Sequence, residues 1–308
     1  MKKEYAVFVK EFNQALTDET GYSKNRIYFK EKDEYPRTVG DRVFVEFSIG
    51  EETKEVCGLY IRDLYEDYLN GSRMDSLVKE AVREINRIKK SGILEKAKDL
   101  NDYEKIRSSL FVRLLNKEKA RSDLGNAIYR EIGDIVLVLY VRLGNFDGIF
   151  SSFKVRKDML ESWEEEEKEV FRKAIQNTYD LSPPRIYRWE KMIFDPDYSG
   201  DEFMDNDFRR SIRKNALGNC LSTTERTNGA VAIFLPGVAE RIGYLLDSSF
   251  YLAFTSVHEV MIHRECEVSV EELRRVVKET IKEATPEEDF LTTLIFHYDR
   301  ETGIFTWE

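Results

Sequence analysis

The sequence predicts an α+β protein of two lobes, each with a small mixed or antiparallel sheet flanked by helices. Short segments of alternating apolar and polar residues predict strands, and longer segments with apolar residues at helical spacing predict helices. A segment with prolines, glycines and few aliphatic residues separates the two halves. We therefore expect an N-terminal lobe over residues 1–178, a connecting segment over 179–219 and a C-terminal lobe over 220–308.

The N-terminal lobe combines helices with a hairpin and a buried strand. Helical spacing of apolar residues predicts helices over residues 4–17, 74–90 and 155–178, the last as one uninterrupted helix. Strands are predicted at DRVFVEFSI and KEVCGLYI, which a turn joins, and further along at KIRSSLFVRLL and IVLVLYVRL. The last of these is apolar on both faces, which is typical of a central strand.

The C-terminal lobe repeats this mixture. GAVAIFL (229–235) predicts a strand, PGVAERIGYLLD a helix, and SFYLAFTSVHEVMIH (249–263) one long strand. Ser269, with Glu272 three residues on, predicts a capping box at the start of the helix VEELRRVVKETIKEA. The final residues predict a hairpin that turns around 299–303.

Composition restricts the classes of function. The net charge of −10 argues against a broad phosphate-binding surface, so nucleic acid is an unfavoured partner. The longest apolar run, IVLVLYV, is far short of the roughly 20 residues of a membrane helix. The first residues lack the apolar stretch of a signal peptide, and three scattered cysteines give no disulfide framework. We expect a protein of the cytoplasm without a membrane partner.

FTSVHEVMIH (254–263) is similar to a zinc-protease motif but has HExxxH spacing instead of HExxH. The longer spacing is used by one metallopeptidase family, of the dipeptidyl peptidase III type, and requires a helix. The β-branched and aromatic residues here favour a strand, in which His258 and His263 would point to opposite faces. No metal site is therefore predicted at these histidines.

A serine hydrolase would pair Ser256 with His258 and add Glu259, or an acid such as Asp247. No GxSxG elbow supports this interpretation, and residues on one strand face rarely supply an oxyanion hole. Ser256, His258 and Glu259 nevertheless remain the candidate catalytic residues. No nucleotide-binding glycine motif is present, and no cofactor is predicted.

The acidic segment DPDYSGDEFMDN is similar to the first half of a calcium loop. Asp195, Asp197 and Ser199 occupy positions one, three and five, and Gly200 occupies position six. The glutamate expected at position twelve is Asn206. The sequence thus offers a weak candidate cation site at Asp195, Asp197 and Ser199, with an acidic surface loop as the alternative.

The order of several segments resembles a domain-of-unknown-function family found in gut clostridia and related Firmicutes. The segments are GLYIRDLYEDYLNG, FVRLLNKEKARSDLGN, DIVLVLYVRL, AIQNTYDLSPPRI and TNGAVAIFLPGVAERIGYLLDSSFYLAFTSVHEVMIH, and they span nearly the whole chain. His258 and Glu259 match the His-Glu pair of the family, whereas residues 254–256 replace a Pro-Ser-Ser tripeptide. Because the function of this family is unknown, the resemblance supplies no expected activity and no expected cofactor for this chain.

The leading hypothesis from the sequence is a non-enzymatic protein-binding or regulatory module of the bacterial cytoplasm. Its partner is expected to be a protein, and the oligomeric state is left open. Two alternatives belong to other classes: a hydrolase centred on Ser256, His258 and Glu259, and an acidic inhibitor or nucleic-acid mimic from a mobile element.

Overall fold

Helices and strands are interspersed along the chain in the computed structural model, which describes residues 4–31, 41–49, 53–90, 98–121, 124–146, 149–188, 191, 194–195, 197–205, 212–214 and 218–308. Its α-helices are α1 (Tyr5–Thr20), α2 (Ile61–Leu69), α3 (Met74–Lys90), α4 (Tyr103–Ile106), α5 (Lys157–Trp163), α6 (Glu167–Leu181), α7 (Val238–Leu246) and α8 (Val270–Ala284). Its strands are β1 (Ile27–Lys30), β2 (Arg42–Ile49), β3 (Thr53–Tyr60), β4 (Leu110–Asn116), β5 (Tyr129–Ile132), β6 (Ile135–Phe146), β7 (Ile149–Lys154), β8 (Pro184–Tyr187), β9 (Asn219–Thr223), β10 (Phe250–Phe254), β11 (Val260–Arg264), β12 (Ile295–Tyr298) and β13 (Phe305–Trp307).

Three small sheets, antiparallel at each pairing described, confirm the predicted α+β class. The first has the order β1-β2-β3, the second β4-β6-β5 with β7 also paired to β6, and the third β13-β12-β10-β11-β9-β8. Antiparallel neighbours need only short turns, which agrees with the many hairpin connections along this chain.

The chain divides into two compact units, one of residues Met1–Asp99 with Leu143–Ser151 and one of Leu100–Arg142 with Ser152–Glu308. The predicted lobes, 1–178 and 220–308, place the boundary elsewhere. Strand β8, inside the predicted connection 179–219, pairs with β9 and so extends the six-stranded sheet. The connecting segment was predicted from its local composition, which gives no information on strand pairing between residues distant in sequence.

The first unit packs helices α1, α2 and α3 with the sheet β1-β2-β3. The apolar faces of the helices and the inward residues of the strands form one buried cluster, which includes Phe8, Phe12, Leu16, Val43, Val45, Ile61, Leu77 and Ile85. Helix α3 has the predicted bounds of 74–90, and α1 ends at Gly21, which adopts the left-handed conformation with a φ of 68°.

In the second unit, helix α8 covers part of the six-stranded sheet. Leu273 and Val277 of the helix are buried against Ala253 and Ile295 of β10 and β12. The predicted cap is confirmed, since the hydroxyl of Ser269 accepts a hydrogen bond from the amide of Glu272 at 3.2 Å. The final hairpin is also confirmed, with β12 and β13 joined around residues 299–303.

Two predictions for the C-terminal part were wrong. The single strand over 249–263 is two strands, β10 and β11, joined by the turn 255–259. The strand over 229–235 is instead a 3₁₀ helix over Gly229–Phe234, most of whose residues are buried. A short, wholly apolar segment has no periodicity that separates a buried strand from a buried helical turn.

The uninterrupted helix predicted over 155–178 was also wrong. The chain forms α5 and α6 instead, and Glu164 between them has a φ of 56° in the left-handed region. Charged residues with high helix propensity span the break, so the sequence pattern does not reveal it.

Candidate functional site

The turn between β10 and β11, residues 255–259, holds all three candidate catalytic residues. Its own side chains close it: the hydroxyl of Ser256 accepts a hydrogen bond from the amide of His258 at 3.0 Å. The hydroxyl of Thr255 donates to the Glu259 carboxylate at 2.9 Å. Serine and threonine commonly stabilise tight turns in this way. These bonds explain why a segment with high strand propensity reverses direction here.

The imidazole of His258 joins the turn to two distant segments. Its Nδ1 accepts a hydrogen bond from the amide of Asn228 at 3.0 Å, and its Nε2 lies 3.2 Å from Oδ1 of Asp289. An Nδ1 atom that accepts a hydrogen bond carries no proton, so the proton of a neutral ring is on Nε2 and points to Asp289. This geometry assigns the tautomer of His258.

The main chain of the turn is fixed by the same neighbouring segments. The hydroxyl of Ser222 donates to the carbonyl of His258 at 2.7 Å. The amide of Ala230 donates to the carbonyl of Val257 at 3.2 Å, and the amide of Val257 donates to the carbonyl of Asp289 at 2.9 Å. Strand β9, the 3₁₀ helix and the segment after α8 therefore all hold the turn in place.

The segment that carries Asp289 is itself attached to the β4–β6 sheet. The side-chain amide of Asn116 donates to the carbonyl of Leu291 at 2.8 Å. The fully buried hydroxyl of Thr292 lies 2.7 and 2.8 Å from the two carboxylate oxygens of Asp134. These contacts fix the position of Asp289 relative to His258, and they link the two sheets of this unit.

The arrangement leaves the candidate catalytic groups engaged within the chain. A general base needs a free lone pair directed at its substrate. In His258 that lone pair, on Nδ1, accepts the Asn228 amide. The Ser256 hydroxyl contacts the His258 main chain, and Asp247 accepts a hydrogen bond from Arg300 at 2.5 Å, which holds the pKa of its exposed carboxyl below its ordinary value. The structure thus brings His258 into contact with Asp289 and not with Asp247.

The two histidines of the HExxxH segment lie in different elements. His258 is in the turn, with its side chain 34% exposed, whereas His263 is a buried residue of β11. His263 packs closely on Gly218, where an added Cβ would lie 2.7 Å from its ring. The prediction that one strand carries both residues was therefore wrong.

The described residues of the acidic segment, 195 and 197–205, combine exposed acidic residues with two buried aromatic residues, Tyr198 and Phe203. The carboxylate of Asp195 accepts a hydrogen bond from the amide of Asp197 at 3.1 Å, and Asp195, Asp197 and Ser199 are all exposed. Asn206 lies outside the described residues. Among the residues that are described, no group of three or more His, Cys, Asp or Glu side chains is placed to hold a metal ion.

Cys220, in β9, lies near the turn and was not singled out by the sequence. Burial first, and the nearby Glu259 carboxylate second, raise the pKa of its thiol to about 12, although Arg226 acts in the opposite direction. Both effects disfavour a second negative charge beside Glu259. We therefore expect the Cys220 thiol to be almost entirely un-ionised at neutral pH in the folded protein.

This pKa predicts selective alkylation. At pH 8, iodoacetamide is expected to modify the exposed Cys266 and to modify Cys220 at least ~30-fold more slowly than an ordinary thiol, because few Cys220 side chains are ionised. Peptide mapping by mass spectrometry measures both rates. In urea the two cysteines should react alike, and equal rates in the native protein would contradict the assigned pKa.

Sequence reasoning missed the two partners of the His258 ring. Asn228 and Gly229 form an Asn-Gly pair, which does signal a local turn, and Asn228 adopts a φ of 54°. Asp289 stands in an acidic run over 287–289 that has no distinguishing spacing. Neither signal indicates contact with residue 258.

Comparison with protein families gives a match over nearly the whole chain. The model of a family described as a family of unknown function, DUF5688, matches residues 5–300. Searches of curated proteins and of solved structures gave no match. Within the described part of the chain, every helix is too short or too polar to cross a membrane.

Proposed function

Since this chain belongs to DUF5688, a family of unknown function, we propose from its own geometry that it is a non-enzymatic protein-binding or regulatory module. The observation that carries the proposal is the engagement of His258 and Ser256 within the chain. A side chain that links three segments stabilises a structure, whereas a catalytic group must be available to substrate. The His258 site therefore serves to hold the turn.

The free edge of the six-stranded sheet supports a role in protein contacts. Residues of β13 alternate in the direction of their main-chain groups. Glu308 exchanges hydrogen bonds with Ile295, and Ile304 accepts one from Asp299. By alternation, the amides and carbonyls of Phe305 and Trp307 point away from β12, and among the described strands none pairs with that side.

We propose that an extended segment of a partner protein adds to β13 as a further strand. Such pairing supplies affinity through the main chain and specificity through alternate side chains. The side chains of Ile304 and Trp307 beside this edge are 56% and 45% exposed, so an added strand would cover apolar surface. The chain carries no lysine or proline in β13, residues that commonly protect a free edge.

A bacterial cytoplasmic location is part of this proposal. Cys220 and Cys266 are both free thiols, as is usual in a reducing compartment. The net charge of −10 favours partners with basic surfaces over nucleic acid.

The proposal is tested by quantitative affinity capture with three forms of the full chain: wild type, Ile304→Lys and Leu181→Lys. Leu181 at the end of α6 is also exposed, at 41%, and serves as the matched control. A true partner is retained by the wild type and the control, is weakened at least ~10-fold by Ile304→Lys, and protects the amides of residues 305 and 307 from hydrogen exchange.

Two results would contradict the proposal in different ways. Turnover in a broad hydrolase screen that His258→Ala abolishes would show that the protein is an enzyme. A specific complex that Ile304→Lys leaves unchanged would move the contact surface away from β13 and leave the non-enzymatic role standing. A nuclease as the captured partner would identify the module as an acidic inhibitor.

A further inference from the structure

A basic cavity lies beside the start of β5, in the second unit and apart from the His258 turn. Its volume is about 440 Å³, which is in the usual range for small-ligand sites. Three cationic side chains line it, Lys117, Arg121 and Lys157, together with one carboxylate, Glu118, and the ring of Tyr129. In a chain with a net charge of −10, this is a local reversal of charge.

The cations come from two elements, which lie on either side of the segment 124–129. Lys117 and Arg121 lie in the helical turns that follow β4, where the amide of Arg121 donates to the carbonyl of Glu118 at 3.2 Å. Lys157 begins α5, and its amide donates to the carbonyl of Asn126 at 3.0 Å. The segment 124–129 forms the floor between them, with Leu124 buried and Gly125 leaving room.

The carboxylates present at the cavity hold its cations weakly. Lys117 pairs with Glu131 at 2.7 Å and Arg121 with Glu118 at 3.4 Å, but all four side chains are about half exposed or more. Exposed ion pairs contribute at most about 1 kcal/mol because water screens them. Among the described residues, the Lys157 ammonium makes no ion pair or hydrogen bond, and neither does the Tyr129 hydroxyl.

We propose that this cavity binds the phosphate group of a small phosphorylated molecule. A ligand with a single carboxylate would only replace Glu131 or Glu118 as the partner of one cation. Because the charge is equal, the exchange would contribute little to the binding free energy. A phosphate with a charge near −2 can draw on several cations together and accept the Tyr129 hydroxyl hydrogen bond. The remaining volume, with Leu124 on its floor, accommodates a small organic part of the ligand.

The test titrates the full-length protein with inorganic pyrophosphate, with a pentose 5-phosphate and with acetate, and follows backbone amide resonances by NMR. We expect both phosphate compounds to shift the amides of residues 117–121, 124–129 and 157 at saturable concentrations, and acetate to have no comparable effect. A response to pyrophosphate alone identifies a site for the free anion, whereas tighter binding of the pentose phosphate identifies an organic phosphate.

Two variants locate the site. Lys157→Gln is expected to weaken phosphate binding at least ~10-fold, and Tyr129→Phe, which removes only a hydroxyl, about 3-fold or more. Lys278→Gln, on the exposed face of α8, changes the net charge equally and should stay within about 2-fold of the wild type. Equal weakening by Lys157→Gln and Lys278→Gln, or no saturable shift with any phosphate, would overturn the proposal.

Discussion

Replacing Gly229 by alanine is expected to lower the free energy of unfolding of the second unit by at least about 3 kcal/mol. An added Cβ would lie 2.1 Å from the Ser222 hydroxyl oxygen, 2.7 Å from the carbonyl oxygen of His258 and 2.8 Å from the amide nitrogen of Thr223. Two of these atoms belong to the main chain and cannot rotate away. The strand β9 and the turn 255–259 would have to move apart.

This movement also removes a hydrogen bond that fixes the turn. The Ser222 hydroxyl donates to the carbonyl of His258 at 2.7 Å, and it is the atom nearest to the new methyl group. Loss of this partly buried hydrogen bond adds roughly 0.5–1.5 kcal/mol to the cost. Equilibrium unfolding in urea, followed by circular dichroism, measures the total as a lower midpoint.

Two further variants separate steric overlap from the general effect of adding a methyl group. Gly125→Ala, with no atom within 4 Å of the added Cβ, should change stability by at most about 0.5–1 kcal/mol and in the stabilising direction. Ser222→Ala combined with Gly229→Ala removes the nearest atom but leaves the two main-chain contacts, so it should recover only part of the loss. If Gly229→Ala unfolds at the same midpoint as Gly125→Ala, the close packing assigned to this position is wrong.

The elements that could be predicted from the sequence are those specified by neighbouring residues. Helix α3 has apolar residues on one face over its whole length, and its predicted bounds of 74–90 match the structure. Helix α8 begins where the Ser269 capping box predicts, because the cap is a contact between residues three apart. The final hairpin follows from alternation on both sides of a polar turn.

Distant contacts decide the elements that were predicted wrongly. The segment Gly229–Phe234 has a strand-like composition, yet it curls into a 3₁₀ helix with Ala230 and Ala232 fully buried. The turn 255–259 is closed by its own side chains, but Ser222 and Asn228, which are 36 and 30 residues away from His258 in sequence, hold it in place. No local periodicity encodes such contacts, and tertiary packing commonly overrides propensity.

In the candidate site, too, the sequence indicates a noticeable residue but does not indicate its distant contacts. Histidine is rare in this chain, so His258 beside Glu259 stood out in the sequence. Its ring partners, the Asn228 amide and the Asp289 carboxylate, become neighbours only in the folded chain. These contacts support the proposed structural role of His258, since both ring nitrogens are engaged within the chain.

Replacing Phe296 by alanine is expected to destabilise the second unit by about 3–5 kcal/mol, the usual cost of truncating a buried aromatic residue. Phe296 of β12 is fully buried and lies between two other aromatic rings. Its ring centroid is 5.3 Å from that of Phe254 in an edge-to-face arrangement and 5.6 Å from that of Trp307. Alanine leaves a cavity between β10 and β13, and both ring contacts are lost.

The loss in free energy of unfolding on substitution of Phe296 should increase with the side-chain volume that is removed. Phe296→Leu keeps most of the side chain and should cost about half as much as alanine or less. Phe194→Ala is the matched control, because this phenylalanine is 84% exposed and its removal should change stability by less than about 0.5 kcal/mol. Urea midpoints of the three variants test this order.

Since the Phe296 ring also supports Trp307, the alanine variant should in addition weaken the binding of any partner that pairs with β13, whereas Phe194→Ala should not. An alanine variant as stable as the control would show that β12 is not packed as described, and the free edge proposed for partner binding would lose its support.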